Sequence, residues 1–275
     1  MEERKLENLL GFQHLKRKVV AKGLNCTGYK DDFLKRRFDG RMHVKGMSSY
    51  AEYANYLDKN PAEFKDLLDA LTINVSEFFR DPTVWEAFQS SIIPAIIKEK
   101  IRTSQRELRI WSAGCADGEE PYTIAVSVID ALSCNLRTFK IEIVATDVDL
   151  QSLDRAQRGV YSPARLRLVK YPVLQRFFTP TYGGNLRISD EIKRLVTFQS
   201  HNLFTLPPSL PFDVISCRNV MIYFSPELQQ TVFRNFHQAL SRGGYLILGK
   251  LESPVGEYGA LFNCVDLAER IYQKA

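Results

Sequence analysis

The sequence predicts an α/β protein with a doubly wound, mostly parallel sheet, an all-α N-terminal region and a small β-insertion. Residues 1 to about 100 have apolar side chains at helical spacing and no convincing strand. From Leu108 onward, short apolar runs alternate with helical stretches, which is typical of a parallel sheet with helices on both faces. Between residues 160 and 195 that alternation stops, which indicates the insertion.

The composition sets the class of protein. The 275 residues are 45% hydrophobic and 25% charged, enough for a full α/β core and a smaller domain. A net charge of +5 permits an acidic partner without requiring nucleic acid. No apolar run is long enough to cross a bilayer, and the first residues do not form a signal sequence. The five cysteines form no CxxC pair, so we expect reduced thiols, a cytoplasmic location and no metal site. A monomer that does not insert into the membrane is our expectation.

A basic helix is predicted from Tyr29 to about His43. Its apolar face consists of Phe33, Leu34, Phe38 and Met42. Three cations, Lys30, Arg37 and Arg41, lie within roughly 40° of one another at about 100° per residue. A solvated face is the ordinary meaning of such a stripe, and a docking surface for an acidic partner is the alternative.

The alternating region contains five predicted buried strands. They are Leu108–Trp111, Ile141–Thr146, Val196–Gln199, Phe212–Ser216 and Tyr245–Leu248. The helices between them are Tyr122–Leu132, Leu150–Arg158 and Pro226–Leu240. Gly243-Gly244 reads as a helix stop followed by a turn, and Phe262–Gln273 as an antiparallel pair of edge strands. In the insertion, Thr179–Ile188 reads as a hairpin with glycines at its turn.

The stretch Arg109–Val126 predicts a strand, a tight glycine turn and a helix. Gly114 and Gly118 let the backbone approach a ligand closely, but they do not complete the spacing G-x-G-x-x-G of a dinucleotide site. The acids Glu119 and Glu120 at the helix start would repel a phosphate and suit a cationic or hydroxyl-rich ligand. An ordinary strand–helix turn is the alternative.

Polar residues follow the other strands, where ligands of such sheets bind. We expect Asp147 to contact a ribose or adenosine and Asp149 to cap the next helix. Asn202 is interpreted as a turn residue or an adenine contact. Asn219 is a candidate for the amino-acid end of a cofactor, and Tyr223 for the reacting centre.

A further motif, Thr72–Pro82, joins the helical region to the sheet. Phe78 and Phe79 are expected to pack between these two parts. Asn74, Ser76 and Arg80 recur at even spacing, which predicts a polar wall on one face of an extended segment.

Four motifs together resemble the chemotaxis receptor methyltransferases, the CheR family. They are Thr-x-Asn-x-Ser-x-Phe-Phe-Arg, Trp-Ser-Ala-Gly-Cys-x-x-Gly-Glu-Glu-Pro-Tyr, Ala-Thr-Asp-x-Asp and Cys-Arg-Asn-Val-Met-Ile-Tyr-Phe. The resemblance covers nearly the whole chain. It implies a class I methyltransferase-like domain over 81–275, a helical docking domain over 1–80 and a β-insertion at about 160–198.

The activity implied by this resemblance is transfer of a methyl group from S-adenosylmethionine to glutamate side chains of methyl-accepting chemotaxis receptors. The implied cofactor contacts are Asn74, Ser76, Arg80, Glu119, Asp147, Asn202, Leu203, Asn219 and Val220. Arg80 and Tyr223 match the residues nearest the transferred methyl, and Lys30, Arg37 and Arg41 would steer the acidic receptor helix. The short hairpin turn, Thr181–Asn185, argues against tethering to a receptor's C-terminal peptide.

Two other functions are compatible with the same fold. A nucleic-acid N-methyltransferase would carry an Asn/Asp-Pro-Pro-Tyr-type loop after the fourth strand, but this chain has Arg218-Asn-Val-Met-Ile-Tyr there. A regulator that binds the cofactor without turnover is the other alternative, and the retained Arg80 and Tyr223 argue against it.

Overall fold

The structure is a computed structural model that describes residues 2–22, 26–71, 76–132, 138–207 and 209–275. It divides into two compact units: residues 1–73 with 223–228, and residues 74–222 with 229–275. In the described chain, no helix has the length and apolar character needed to cross a membrane.

The smaller, N-terminal unit is helical. The larger unit has helices of its own, which cover its sheet. In chain order they are α1 (Glu2–Ala21), α2 (Asp31–Val44), α3 (Tyr50–Lys59), α4 (Pro61–Leu71), α5 (Pro82–Ala87), α6 (Ile93–Arg102), α7 (Glu119–Leu132), α8 (Leu150–Arg158), α9 (Tyr171–Phe177), α10 (Asp190–Lys193), α11 (Pro226–Ala239) and α12 (Gly256–Gly259). A π-helical turn, Phe88–Ile92, lies between α5 and α6.

The strands form two sheets. In chain order they are β1 (Glu107–Ala113), β2 (Lys140–Asp147), β3 (Val160–Tyr161), β4 (Phe178–Pro180), β5 (Leu186–Ile188), β6 (Val196–Ser200), β7 (Phe212–Cys217), β8 (Leu240–Leu248), β9 (Phe262–Asp266) and β10 (Ile271–Lys274). The main sheet has the order β6-β2-β1-β7-β8-β10-β9, and the small sheet has the order β3-β5-β4.

The main sheet confirms the predicted fold. Strands β6, β2, β1, β7 and β8 are parallel, while β10 pairs antiparallel with β8 and β9. All five predicted strands and the three predicted helices are present. The predicted hairpin of the insertion is β4–β5, with Gly183 and Gly184 between the strands. The last strand of the small sheet ends at Ile188. The predicted end of the insertion, residue 198, falls inside β6, which belongs to the main sheet.

The prediction of a helix stop and turn at Gly243-Gly244 was wrong. Helix α11 ends at Ala239 and β8 begins at the next residue, so both glycines lie inside the strand. The pairing of β7 with β8 shifts register there, because Phe212 faces Leu240 whereas Val214 faces Tyr245. The positive φ of Gly243, 73°, accommodates the extra residues as a bulge.

The helical unit confirms the predicted apolar face. Phe33, Leu34, Phe38 and Met42 are all buried. Helix α2 begins at Asp31 rather than Tyr29, so Lys30 precedes the helix and the angular argument holds only for Arg37 and Arg41.

A buried carboxylate on α4 ties three helices of this unit together. Glu63 accepts hydrogen bonds from Arg41 Nε at 2.9 Å and Nη2 at 2.6 Å, and from the Tyr53 hydroxyl at 2.7 Å. Lys45 Nζ lies 2.8 Å from Oε2, the oxygen that also accepts from Arg41 Nη2. Burial alone would raise the pKa of Glu63, but the hydrogen bonds from Arg41, Lys45 and Tyr53 lower it to about 2. Arg41 is therefore a structural residue of the α2–α4 contact.

Substituting Glu63→Gln is expected to lower the free energy of unfolding by about 3 kcal/mol at pH 7, because it removes the buried carboxylate that pairs with Arg41 and Lys45. The native carboxyl has a pKa of about 2 against about 4.3 in an unfolded chain, so its contribution is complete above pH 4.3. That contribution is lost as the pH falls toward 2. Urea unfolding followed by circular dichroism between pH 7 and 3 measures both effects.

The matched control is Asp66→Asn. Asp66 also contacts Arg41, at 2.8 Å, but it is exposed, and its loss should cost less than about 1 kcal/mol. If the free energy of unfolding changed with pH in the same way for the wild type and for Glu63→Gln, the acid-sensitive contribution could not be assigned to Glu63.

Candidate functional site

The strand order reverses at the middle of the main sheet. Strands β2 and β6 lie on one side of β1, and β7 and β8 lie on the other. The chain therefore leaves the carboxyl ends of β1 and β7 in opposite directions, which opens a crevice where ligands of open α/β sheets bind.

The loops that follow β1 and β7 meet at this crevice. A Cβ on Gly114 would lie 2.6 Å from Val220 Cγ2, so a side chain here would displace the second loop. Gly114 also has a φ of 81°, which favours glycine. The carbonyl of Thr146 on β2 accepts the N–H groups of Gly114 at 2.8 Å and Cys115 at 2.9 Å. The glycine turn is thus fixed from the β2 side.

Asp147, at the end of β2, holds the same turn. Its Oδ2 accepts the Ala116 N–H at 2.9 Å, and its Oδ1 accepts the Asp149 N–H at 3.0 Å. Burial raises the pKa of Asp147, and these backbone donors oppose the rise. Asp149 accepts the Gln151 N–H at 2.9 Å, so its predicted capping role on α8 is confirmed. A contact between Asp147 and a ribose remains a prediction.

The two acids at the start of α7 have different surroundings. Glu119 is fully buried, and its Oε1 accepts a short hydrogen bond from Arg165. Its Oε2 is buried and has no hydrogen-bond partner among the residues described. Glu120 accepts from Ser112 Oγ at 2.8 Å and faces Arg218 at 3.8 Å. Burial raises the pKa of both carboxyls. Glu119 is thus the acid with an oxygen left for a ligand.

Arg80 lies between two residues in the left-handed region, Phe79 with a φ of 54° and Asp81 with a φ of 55°. Such conformations cost of order 1 kcal/mol each and persist where surrounding contacts impose them. Here the Arg80 carbonyl accepts Trp85 Nε1 at 2.9 Å and Arg218 Nη2 at 3.1 Å. Because of this turn, the prediction that Asn74, Ser76 and Arg80 line one extended face was wrong for Arg80.

The other residues of this motif lie as follows. Asn74, within residues 72–75, is outside the described residues, and Ser76 is half-buried. Phe78 packs edge-on against Tyr161 and Phe178 of the small sheet, with ring centroids 4.8 and 5.3 Å away. Both of these ring partners belong to the insertion, and Phe78 is part of the core of the larger unit.

Arg218 has a role that the sequence did not predict. Its buried guanidinium donates to Asp81 Oδ2 at 2.6 Å and lies 5.1 Å from the Trp85 ring. It thereby connects the end of β7 to the turn at Arg80. A charged residue that directly continues an apolar strand was the available signal.

The remaining candidates of the larger unit lie at the ends of β6 and β7. Asn202 Oδ1 accepts the Phe204 N–H at 3.0 Å, which confirms its interpretation as a turn residue. Leu203 is buried, and its carbonyl accepts Asn235 Nδ2 at 2.9 Å. Asn219 is left-handed, with a φ of 61°, and its N–H donates to Glu252 Oε2 at 2.8 Å. Glu252 is a second residue that the sequence did not single out.

Tyr223 and the basic residues belong to the helical unit. The Tyr223 ring packs on Phe33 of α2 with centroids 4.8 Å apart, and its carbonyl accepts the Lys30 N–H at 3.0 Å. The guanidinium of Arg37 lies over the same Phe33 ring, 5.5 Å from its centroid. Tyr223 is thus supported by the same helix that carries the basic face. Its predicted position near a transferred methyl stays a prediction.

Thiol chemistry is not available at the crevice. Cys115 and Cys217 are free and buried, and burial raises the pKa of both thiols well above the usual value. Both therefore remain protonated at neutral pH and act as small apolar side chains.

The crevice fits a cofactor with hydroxyl groups and a positive charge. The Glu119 Oε2 is a buried acceptor without a partner among the residues described. S-adenosylmethionine has a ribose diol, an ammonium group and a sulfonium, which are the groups that such acids attract.

Comparison with known proteins covers nearly the whole chain. The profile "CheR methyltransferase, SAM binding domain" matches residues 74–270, and "CheR methyltransferase, all-alpha domain" matches residues 12–72. The chain is 32% identical to a chemotaxis protein methyltransferase of Borreliella burgdorferi, over 84% of this chain and 83% of that protein. It is 33% identical to one of Salmonella typhimurium, over 84% and 79%. An uncharacterised 104.1 kDa protein of Rhodobacter capsulatus is 34% identical over 91% of this chain, which spans only 26% of that protein.

Proposed function

Because this chain belongs to the CheR methyltransferase family, we propose that it methylates glutamate side chains of methyl-accepting chemotaxis receptors and forms methyl esters. Family membership makes it an S-adenosylmethionine-dependent methyltransferase of chemotaxis. The observation that best supports the proposal is the contact between the loops after β1 and β7 at Gly114 and Val220. The acids Glu119 and Asp147 lie at the same carboxyl edge of the sheet, in the segment after β1 and at the end of β2.

The positions of the polar groups support the proposed cofactor contacts. Glu119 and Asp147 would accept hydrogen bonds from the ammonium and the ribose hydroxyls. Asn219 and Val220 would line the crevice opposite them. The further proposed contacts are Asn74, Ser76, Arg80, Asn202 and Leu203.

The reaction needs orientation more than base catalysis. A glutamate carboxyl has a pKa of about 4.3, so the substrate is already ionised near neutrality. When bound, S-adenosylmethionine supplies a methyl group on a sulfonium leaving group. Arg80, whose backbone is imposed by Trp85 and Arg218, would orient the incoming carboxylate through paired N–H donors. Tyr223 would position it with one hydrogen bond. Tight pairing would weaken the nucleophile, so both residues are assigned to orientation.

The receptor would dock on the basic face near the start of α2. Lys30 is exposed, and Arg37 is held over the Phe33 ring. Both cations would attract an acidic receptor helix through their electrostatic field. Arg41 is engaged with Glu63 and Asp66, and its share of the steering is smaller. The receptor helices in question are cytoplasmic, and we propose that the protein acts there as a monomer, without inserting into the membrane or binding nucleic acid.

One assay separates this function from its alternatives. The protein is incubated with methyl-labelled S-adenosylmethionine and a cytoplasmic receptor fragment or, in a parallel reaction, nucleic acid, and each product is then treated with mild alkali. We expect volatile labelled methanol, because methyl esters hydrolyse under these conditions. Label that stays with nucleic acid as methylamine would instead show a nucleic-acid methyltransferase. Absence of labelling despite cofactor binding would show a regulator.

The docking surface can be tested with Arg37→Glu. We expect the KM for the receptor to rise about tenfold at low salt while the affinity for S-adenosylhomocysteine stays unchanged, since the charge acts on the receptor alone. Steady-state methylation and calorimetry measure the two quantities.

Arg36→Glu is the matched control, because Arg36 is the exposed neighbour on a different side of α2. It changes the net charge equally but should have a smaller effect on KM. Equal effects of the two variants would mean that net charge alone matters. A loss of cofactor affinity or of thermal stability in Arg37→Glu would assign its stacking on Phe33 a purely structural role.

A further inference from the structure

Glu252 accepts four backbone hydrogen bonds at the end of the main sheet. Glu252 lies in the loop after β8, and the residue is only 5% exposed. Oε2 accepts the N–H of Asn219 at 2.8 Å and of Gly249 at 2.7 Å. Oε1 accepts the N–H of Met221 at 2.7 Å and of Ile222 at 3.3 Å. Three of the four donors belong to the loop after β7.

This arrangement gives the loop its shape. An ionised carboxylate has about four acceptor positions, and all are used here. Hydrogen bonds to a charged acceptor are roughly twice as strong as neutral ones. The loop includes the left-handed Asn219. Its buried N–H groups need partners to avoid a desolvation penalty, and Glu252 supplies them.

Glycine at position 249 is part of the same arrangement. A Cβ there would lie 2.7 Å from Glu252 Oε2, 2.8 Å from the Asn219 nitrogen and 2.9 Å from Asn219 Nδ2. The φ of Gly249 is not in the left-handed region, so the close approach alone requires glycine. The end of β8 and the loop after β7 are thus held against each other through Glu252.

We infer that Glu252 is a positioning residue for the cofactor: it fixes the backbone from Asn219 to Ile222 in the shape that binds S-adenosylmethionine. The inference rests on the proposed cofactor contacts of Asn219 and Val220. It differs from a direct electrostatic role, in which the carboxylate would attract the positive sulfonium. A positioning role affects S-adenosylmethionine and its neutral thioether product equally, whereas a charge effect favours the sulfonium.

The test is calorimetric titration of the Glu252→Gln protein with S-adenosylmethionine and, separately, with S-adenosylhomocysteine. The glutamine NH₂ would face two of the N–H donors, so hydrogen bonds to the loop are lost. We expect both ligands to bind about tenfold more weakly. Hydrogen exchange should accelerate at residues 219–222 and leave β2 and β6 unchanged.

Two further variants complete the experiment. Gly249→Ala leaves the carboxylate in place but displaces the loop, so it should weaken both ligands as well, and it decides the question if Glu252→Gln does not fold. Glu257→Gln, an exposed acid five residues further on, should bind both ligands like the wild type.

Unchanged affinities in Glu252→Gln and Gly249→Ala would overturn the inference, as would a loss confined to S-adenosylmethionine. None of these titrations involves a receptor. A chain that binds both ligands normally but methylates no receptor glutamate therefore contradicts the proposed function alone.

Discussion

The contact of Gly114 with Val220 is the constraint on which the rest of the candidate site depends. Parallel strands place their carboxyl ends on one edge, and the order reversal between β1 and β7 makes the chain diverge there. Only a residue without a Cβ lets the two loops meet at this point. Neighbouring polar groups then hold each loop in place. Thr146 and Asp147 hold the turn after β1.

Two buried charges hold the loop after β7, one on each side of Asn219. Arg218 reaches back to Asp81 and the Arg80 carbonyl, whereas Glu252 collects the N–H groups that follow. A buried charge is costly unless it is fully paired, and a well-packed apolar residue is often as stabilising. Their value is therefore conformational: they impose left-handed turns at Asp81 and Asn219 that apolar packing would not specify.

Local patterns allowed the fold to be predicted, and long-range pairings limited the prediction of the site. Short apolar runs and helical spacing identified the strands and helices, and the acids Asp147 and Asp149 could be placed at a strand end. The partners of Arg41, Arg218 and Glu252 could not be predicted, because Glu63, Asp81 and Asn219 are remote in sequence. Phe79 and Asp81 have left-handed backbones without glycine's signature, so the segment through Arg80 read as extended. The pair Gly243-Gly244 is compatible with a turn and with a bulge. Only the register of β8 against β7 distinguishes the two, and the sequence does not give that register.

The most direct test of the central claim is a crystal structure of this chain with S-adenosylhomocysteine. The account predicts ligand density across the carboxyl ends of β1 and β7, with the ribose hydroxyls hydrogen-bonded to Asp147 and the amino-acid end beside Glu119 and Asn219. Density at any other place on the chain, or a ligand that leaves these three side chains out of hydrogen-bond reach, would contradict it.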